Sequence, residues 1–197
     1  AIEVPPGRYL VTVSHGPAFS ILQEVVDLTP ETSVTVSGVL HEVIDTRDYV
    51  GMDCHVHSID SPDSKIAIED RVLSYLAEGI GLIVATDHDR LTDFEPAIEA
   101  MGLSDRMGSV VGVETTPFVY GHFIGFPQEN DHSVPDHGAI DHAGGEGPSL
   151  TPPQIWVALR ANGAQVVQLA HPDTYFARWA ALTFDPAAGL GVDLEVR

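Results

Sequence analysis

The chain is short of positive charge, of sulfur and of long apolar stretches. Its 197 residues include one lysine, Lys65, and one cysteine, Cys54. A single cysteine excludes a framework of internal disulfides. Lys and Arg total 9 against 29 Asp and Glu, for a formal net charge of -20. Nucleic-acid binding needs a cationic footprint that displaces counterions from phosphate. An anionic membrane surface attracts basic segments and repels a chain like this one. Both partner classes are therefore excluded. No apolar run approaches the roughly 18 residues of a membrane span. Apolar residues make up 44% of the chain, enough to build a core in spite of the charge. The length suits one domain, or one domain and a fragment. Against these shortages stand 10 histidines beside the 29 acids. Imidazoles and carboxylates together are the raw material of oxygen/nitrogen metal sites.

The first stretch, residues 1–46, reads as β-rich. Val4–Val13, Ser20–Asp27 and Ser33–Val43 are runs with β-type composition, separated by turn residues such as Thr29-Pro30-Glu31. They are expected to be a remnant of a β-sandwich-like module. From residue 47 to 197 the pattern alternates between strands and helices. Strands are expected at Met52–His57, Gly81–Thr86, Ser109–Glu114, Phe123–Phe126, Gln165–Ala170 and Val192–Val196, with Val119-Tyr120-Gly121-His122 a hairpin return into Phe123–Phe126. Helices are expected after Ile68, from the capping-box spacing Thr92-Asp93-Phe94-Glu95, and from Thr151-Pro152-Pro153-Gln154. Gly79, Gly102 and Gly163 follow these helices as stop signals. Repeated β-α-β order predicts a mainly parallel sheet or barrel.

The chemistry concentrates at expected strand ends. In Asp53-Cys54-His55-Val56-His57, strand alternation puts Asp53, His55 and His57 on one face and Cys54 on the other. Two imidazoles about 7 Å apart along a strand can chelate one divalent ion. Thr86-Asp87-His88-Asp89 follows an apolar strand, and C-terminal strand ends are where α/β sites are built. Glu114, His122 and His171 occupy comparable positions in Gly112-Val113-Glu114, Gly121-His122-Phe123 and Leu169-Ala170-His171-Pro172. Each signal alone is also compatible with an ordinary polar loop residue. Asp53 and Asp87 are expected to orient imidazoles, with a structural role as the alternative. Asp-His recurs at Asp131-His132, Asp136-His137 and Asp141-His142, which suits a solvated loop or a lid. Arg178 and Trp179 could line a substrate pocket.

The ordered set, with Ser61-Pro62-Asp63, resembles the PHP (polymerase and histidinol phosphatase) superfamily, and within it the CehA/McbA-like metallohydrolases. The resemblance covers roughly Asp45 to Arg197. It implies a distorted (β/α) barrel, truncated at the C-terminus and preceded by the short β-rich segment. It implies two or three divalent ions of zinc, manganese or iron. His55, His57 and Glu114 would hold the first ion. Glu114 would bridge to a second, completed by His122 and His171. Asp63 and His88 would begin a third site, with Asp60 an alternative to Asp63. The family pattern also has a C-terminal Asp and His that this chain lacks, so a further segment or another chain would complete the set. The implied reaction is hydrolysis of a small-molecule phosphate ester, or of a carbonyl ester, carbamate or amide, by water activated at the ions.

Two other readings remain open on sequence alone. One is a binding module that keeps metal ions without catalysis. The other is an amidohydrolase-type barrel, which commonly bridges its metals with a modified lysine at a strand end. Lys65, in an expected loop before a helix, argues against it.

Overall fold

The computed structural model describes residues 2–118, 120–143 and 148–171, and the short strands at 184–185 and 190–191. The expected Val192–Val196 strand and the pair Arg178 and Trp179 lie outside the described residues.

Strand β1 (Gly7–Val13) pairs antiparallel with β2 (Leu22–Leu28), Gly7 opposite Leu28. Ser33–Val43 adds no third strand. Apart from an isolated bridge between Phe19 and Glu42, it has no ladder partner, and most of it is exposed. Its β-branched composition suits a pleated surface, but composition cannot supply the partner.

Next come β3 (Gly51–Val56), α1 (Ile68–Ala77), β4 (Ile80–Ala85), α2 (Glu95–Ala100) and β5 (Gly108–Val111). β3, β4 and β5 form a parallel three-stranded sheet in that order. Helices α1 and α2 bury Val72 and Ile98 against Val56, Ile83, Ala85 and Phe94. Gly79 and Gly102 end the helices with positive φ of 75° and 68°. The first turn of α2 is served by Asp93, whose carboxylate accepts the Glu95 N–H at 3.0 Å. The expected cap, Thr92, has a buried hydroxyl without a partner.

The single expected strand Ser109–Glu114 is two. β6 (Val113–Thr115) follows β5 after Gly112 and pairs antiparallel with β7 (His122–Phe126), which pairs antiparallel with β8 (Val166–Ala170). A Cβ at Gly112 would lie 2.8 Å from Val84 Cγ1 and 3.1 Å from the carbonyl oxygens of Ala85 and Gly125, so only glycine lets the backbones meet there. Helix α3 (Pro152–Ala161) opens as expected, with Gln154 Oε1 accepting the Thr151 N–H at 2.9 Å. It packs Ile155 and Leu159 against Val113 and Phe123. β9 (Phe184–Asp185) and β10 (Leu190–Gly191) form a small antiparallel ribbon.

These facts overturn the barrel. The chain is mixed α/β, with two open three-stranded sheets, one parallel and one antiparallel, and three α-helices among the described residues. A β/α barrel needs a crossover helix between each pair of parallel strands. Here β6 turns directly into β7 through a hairpin, and β8 returns antiparallel. The apolar periodicity of these strands was compatible with either direction. No helix among the described residues is long and apolar enough to cross a membrane.

Candidate metal centre

Each metal-site residue expected from sequence lies at or near a strand end. His55 is in β3 and His57 just beyond it. Asp63 is in the loop that follows, His88 shortly after β4, Glu114 in β6, His122 at the start of β7 and His171 directly after β8. All seven line one cavity of about 650 Å³.

Glu114 is the centre. Its side chain is 0% exposed. Oε2 lies 2.9 Å from His55 Nε2 and 2.8 Å from His57 Nε2. Oε1 lies 2.9 Å from His122 Nδ1 and 3.0 Å from His171 Nε2. Each carboxylate oxygen therefore faces two imidazoles. His88 Nδ1 stands 3.4 Å from Oε2 and 2.5 Å from the Thr116 hydroxyl. Asp63, 54% exposed, lies 3.0 Å from His57 Nδ1 and 3.4 Å from His88 Nε2.

Burial opposes charge on Glu114, but hydrogen bonds from His122, His55 and His57 outweigh it and hold the carboxyl far below the usual range. Burial likewise works against a charged His57, yet Glu114 and Asp63 raise it to about 9. Asp63 is pulled down to about 2: its partial burial is overcome by hydrogen bonds from His57 and Ser61. Burial leads in lowering His88.

The donor set fits a divalent cation. His55 Nε2 and His57 Nε2 lie only 3.0 Å apart, and His122 Nδ1 and His171 Nε2 only 3.2 Å. Imidazole nitrogens that converge in pairs on one buried carboxylate need a shared proton or a cation between them. Three sets of donor atoms could each hold a metal ion: His55, His57 and Glu114; His57, Asp63 and His88; and His88, Glu114 and His122. The three sets supply only nitrogen and oxygen donors. Cys54 packs on the opposite face, beside the cluster of Val84, Ile124, Phe126 and Ala170.

Asp53 and Asp87 take the structural alternative: they hold the chain around the imidazoles. Asp53 accepts the His55 N–H at 2.9 Å. Asp87, fully buried, accepts the Ser58 N–H at 2.6 Å and the Ser58 hydroxyl at 2.7 Å. Arg71 of α1 donates to the His57 carbonyl at 2.8 Å. No residue of the Asp-His repeat lines the cavity, and only His142 reaches a residue that does, Asp89. His137 Nδ1 lies 2.8 Å from the Leu91 carbonyl, and His142 Nε2 3.2 Å from Asp89. Lys65 is exposed and does not line the cavity.

Sequence reasoning missed other cavity residues: Asp89, Thr116 and Phe118. Asp89 has a left-handed φ of 53°, and its Oδ1 accepts the Thr116 N–H at 2.9 Å. Only its place next to His88 hinted at this role. Phe118, 91% exposed, stands in the β6–β7 turn, where no periodicity marks it.

No protein-family model matches the chain, and no curated protein matches it.

Proposed function

We propose that this chain is a metal-dependent hydrolase acting on a small-molecule ester, carbamate, amide or phosphate ester. One observation carries the reading: fully buried Glu114 presents one oxygen to His55 and His57 and the other to His122 and His171. A carboxylate so divided suits two neighbouring ions, and the His and Asp motif order that resembles PHP metallohydrolases supports the same chemistry. The barrel of that superfamily is no part of the proposal.

Divalent ions held there would lower the pKa of a bound water and polarise the scissile oxygen. The chain's own residues provide position. Arg71 and Asp53 fix the backbone that carries His55 and His57. Asp87 and Ser58 fix the loop that carries Asp63. Phe118 and Pro62 add apolar surface to the cavity, and among the described residues its lining has no lysine or arginine. That lining suits neutral or weakly charged substrates.

The test is metal analysis of the purified protein together with hydrolysis of p-nitrophenyl phosphate and of an aryl carbamate. Bound metal with turnover of either substrate supports the proposal. Less than one ion per chain, with no turnover, overturns it. Bound metal with no turnover across a wider set of esters and amides would favour the binding-module reading.

A further inference from the structure

The sets His55, His57, Glu114 and His57, Asp63, His88 share one residue, His57. A neutral imidazole has one nitrogen with a lone pair and one that carries a proton. His57 Nε2 faces the first set, 2.8 Å from Glu114 Oε2 and 3.0 Å from His55 Nε2. Its Nδ1 faces Asp63, 3.0 Å from Oδ1 and 3.1 Å from Oδ2. If Nε2 gives its lone pair to an ion beside Glu114, Nδ1 keeps the proton and donates it to Asp63. Among the described residues the second set then retains only Asp63 and His88 as donors, fewer than the three protein ligands of an ordinary catalytic site.

Ser61 makes the same choice. It is 2% exposed, and its hydroxyl donates to Asp63 Oδ1 at 2.7 Å while accepting the His88 N–H at 3.2 Å. Having spent its proton on Asp63, it cannot also donate to His57 Nδ1, 3.3 Å away. An N–H on Nδ1 satisfies every contact in this group; a bare lone pair there would face two carboxylate oxygens.

We propose that Asp63, braced by Ser61, is a positioning residue that holds His57 in its Nδ1–H tautomer, so that the donors among the described residues hold at most two ions. The inference rests on the metal-centre reading and narrows its stoichiometry. Carboxylate partners of metal-bound imidazoles are worth roughly 10–100-fold in metal affinity.

The experiment is ¹⁵N NMR of the histidine side chains in the zinc-loaded wild-type chain, with zinc titration of wild type, Asp63→Ala and Ser61→Ala by calorimetry. The expected spectrum shows His57 with protonated Nδ1 and metal-bound Nε2. The expected titrations show no more than two ions in wild type, the same number in both variants, and affinity reduced about 10–100-fold in Asp63→Ala. Three ions in wild type with one lost selectively in Asp63→Ala would overturn the inference, as would a His57 bound to metal through both nitrogens. Failure of the underlying reading looks different: less than one zinc per wild-type chain, with no His57 nitrogen shifted by zinc.

Discussion

His88 and Glu114 are joined by an isolated parallel bridge between backbones, and their side chains meet in the same cavity. The bridge lies where the parallel and antiparallel sheets come together. Asp89 N–H donates to the Glu114 carbonyl at 3.0 Å, and Glu114 N–H to the Asp87 carbonyl at 3.3 Å. The donors are thus gathered at a seam between two sheets, where Glu114 is held by backbone on one side and by imidazoles on the other.

Glu114→Gln should abolish most metal binding. The amide keeps the shape but loses the charge, and its NH2 leaves one pair of imidazoles without an acceptor, so the two pairs no longer share a carboxylate. Metal content after dialysis should fall well below one ion per chain. Retention of two ions would sink the bridging role of Glu114.

Stability of the metal-free chain should depend on pH through His57 and Asp63. Folding raises His57 from 6.5 to about 9, so its contribution is full below pH 6.5 and lost as pH rises through about 9. Folding lowers Asp63 from 3.8 to about 2, so its contribution is present above 3.8 and lost as pH falls through about 2. Melting temperatures of chelator-treated protein should decline on the alkaline side, and His57→Gln should flatten that decline. Parallel curves for wild type and variant would refute the assignment.

Asp87→Asn should destabilise the fold and loosen the metal site together. The buried carboxylate holds both the N–H and the hydroxyl of Ser58. A charged hydrogen bond contributes about 1.5–3 kcal/mol, and the amide cannot accept at both oxygens. A urea midpoint lowered by roughly 2 kcal/mol of stability at constant slope is expected. An unchanged midpoint would show that Ser58 finds other partners.

Gly112→Ala should cost about 1–3 kcal/mol, as overpacking does in a tight interior. Its methyl would press on Val84 and on the carbonyls of Ala85 and Gly125 at the turn from one sheet to the other. Because Glu114 lies two residues on, metal affinity should fall as well. Wild-type stability in this variant would mean that the sheets separate without cost.

Zinc in excess should raise the melting temperature of the wild-type chain. An ion that binds only the folded state adds about 2.7 kcal/mol at 100 times its dissociation constant. Differential scanning calorimetry with and without chelator measures the shift, and coincident curves would argue against any specific site.

Much of the candidate site was legible because strand alternation and strand ends are local features. His55 and His57 share a face by the period of two, and Cys54 points to the core for the same reason. The helix stops at Gly79, Gly102 and Gly163 and the Thr151–Gln154 cap are equally local, since each depends on residues within one turn. The structural roles of Asp53 and Asp87 were legible only as one of two alternatives, because sequence places a carboxylate beside an imidazole without saying which neighbour it binds.

By itself, the sequence determined that this is an acidic chain with a core, without disulfides, carrying imidazoles and carboxylates at the ends of apolar strands. The hairpin return into β7 was legible too, but the antiparallel direction of β8, the break at Gly112 and the convergence of Glu114 with its histidines were decided only in three dimensions. The physical reason is that periodicity records which face a side chain occupies, whereas pairing direction depends on the partner strand and the connection to it. A hairpin between Thr115 and His122 therefore replaced the crossover that a barrel requires, and it brought His122 back onto Glu114.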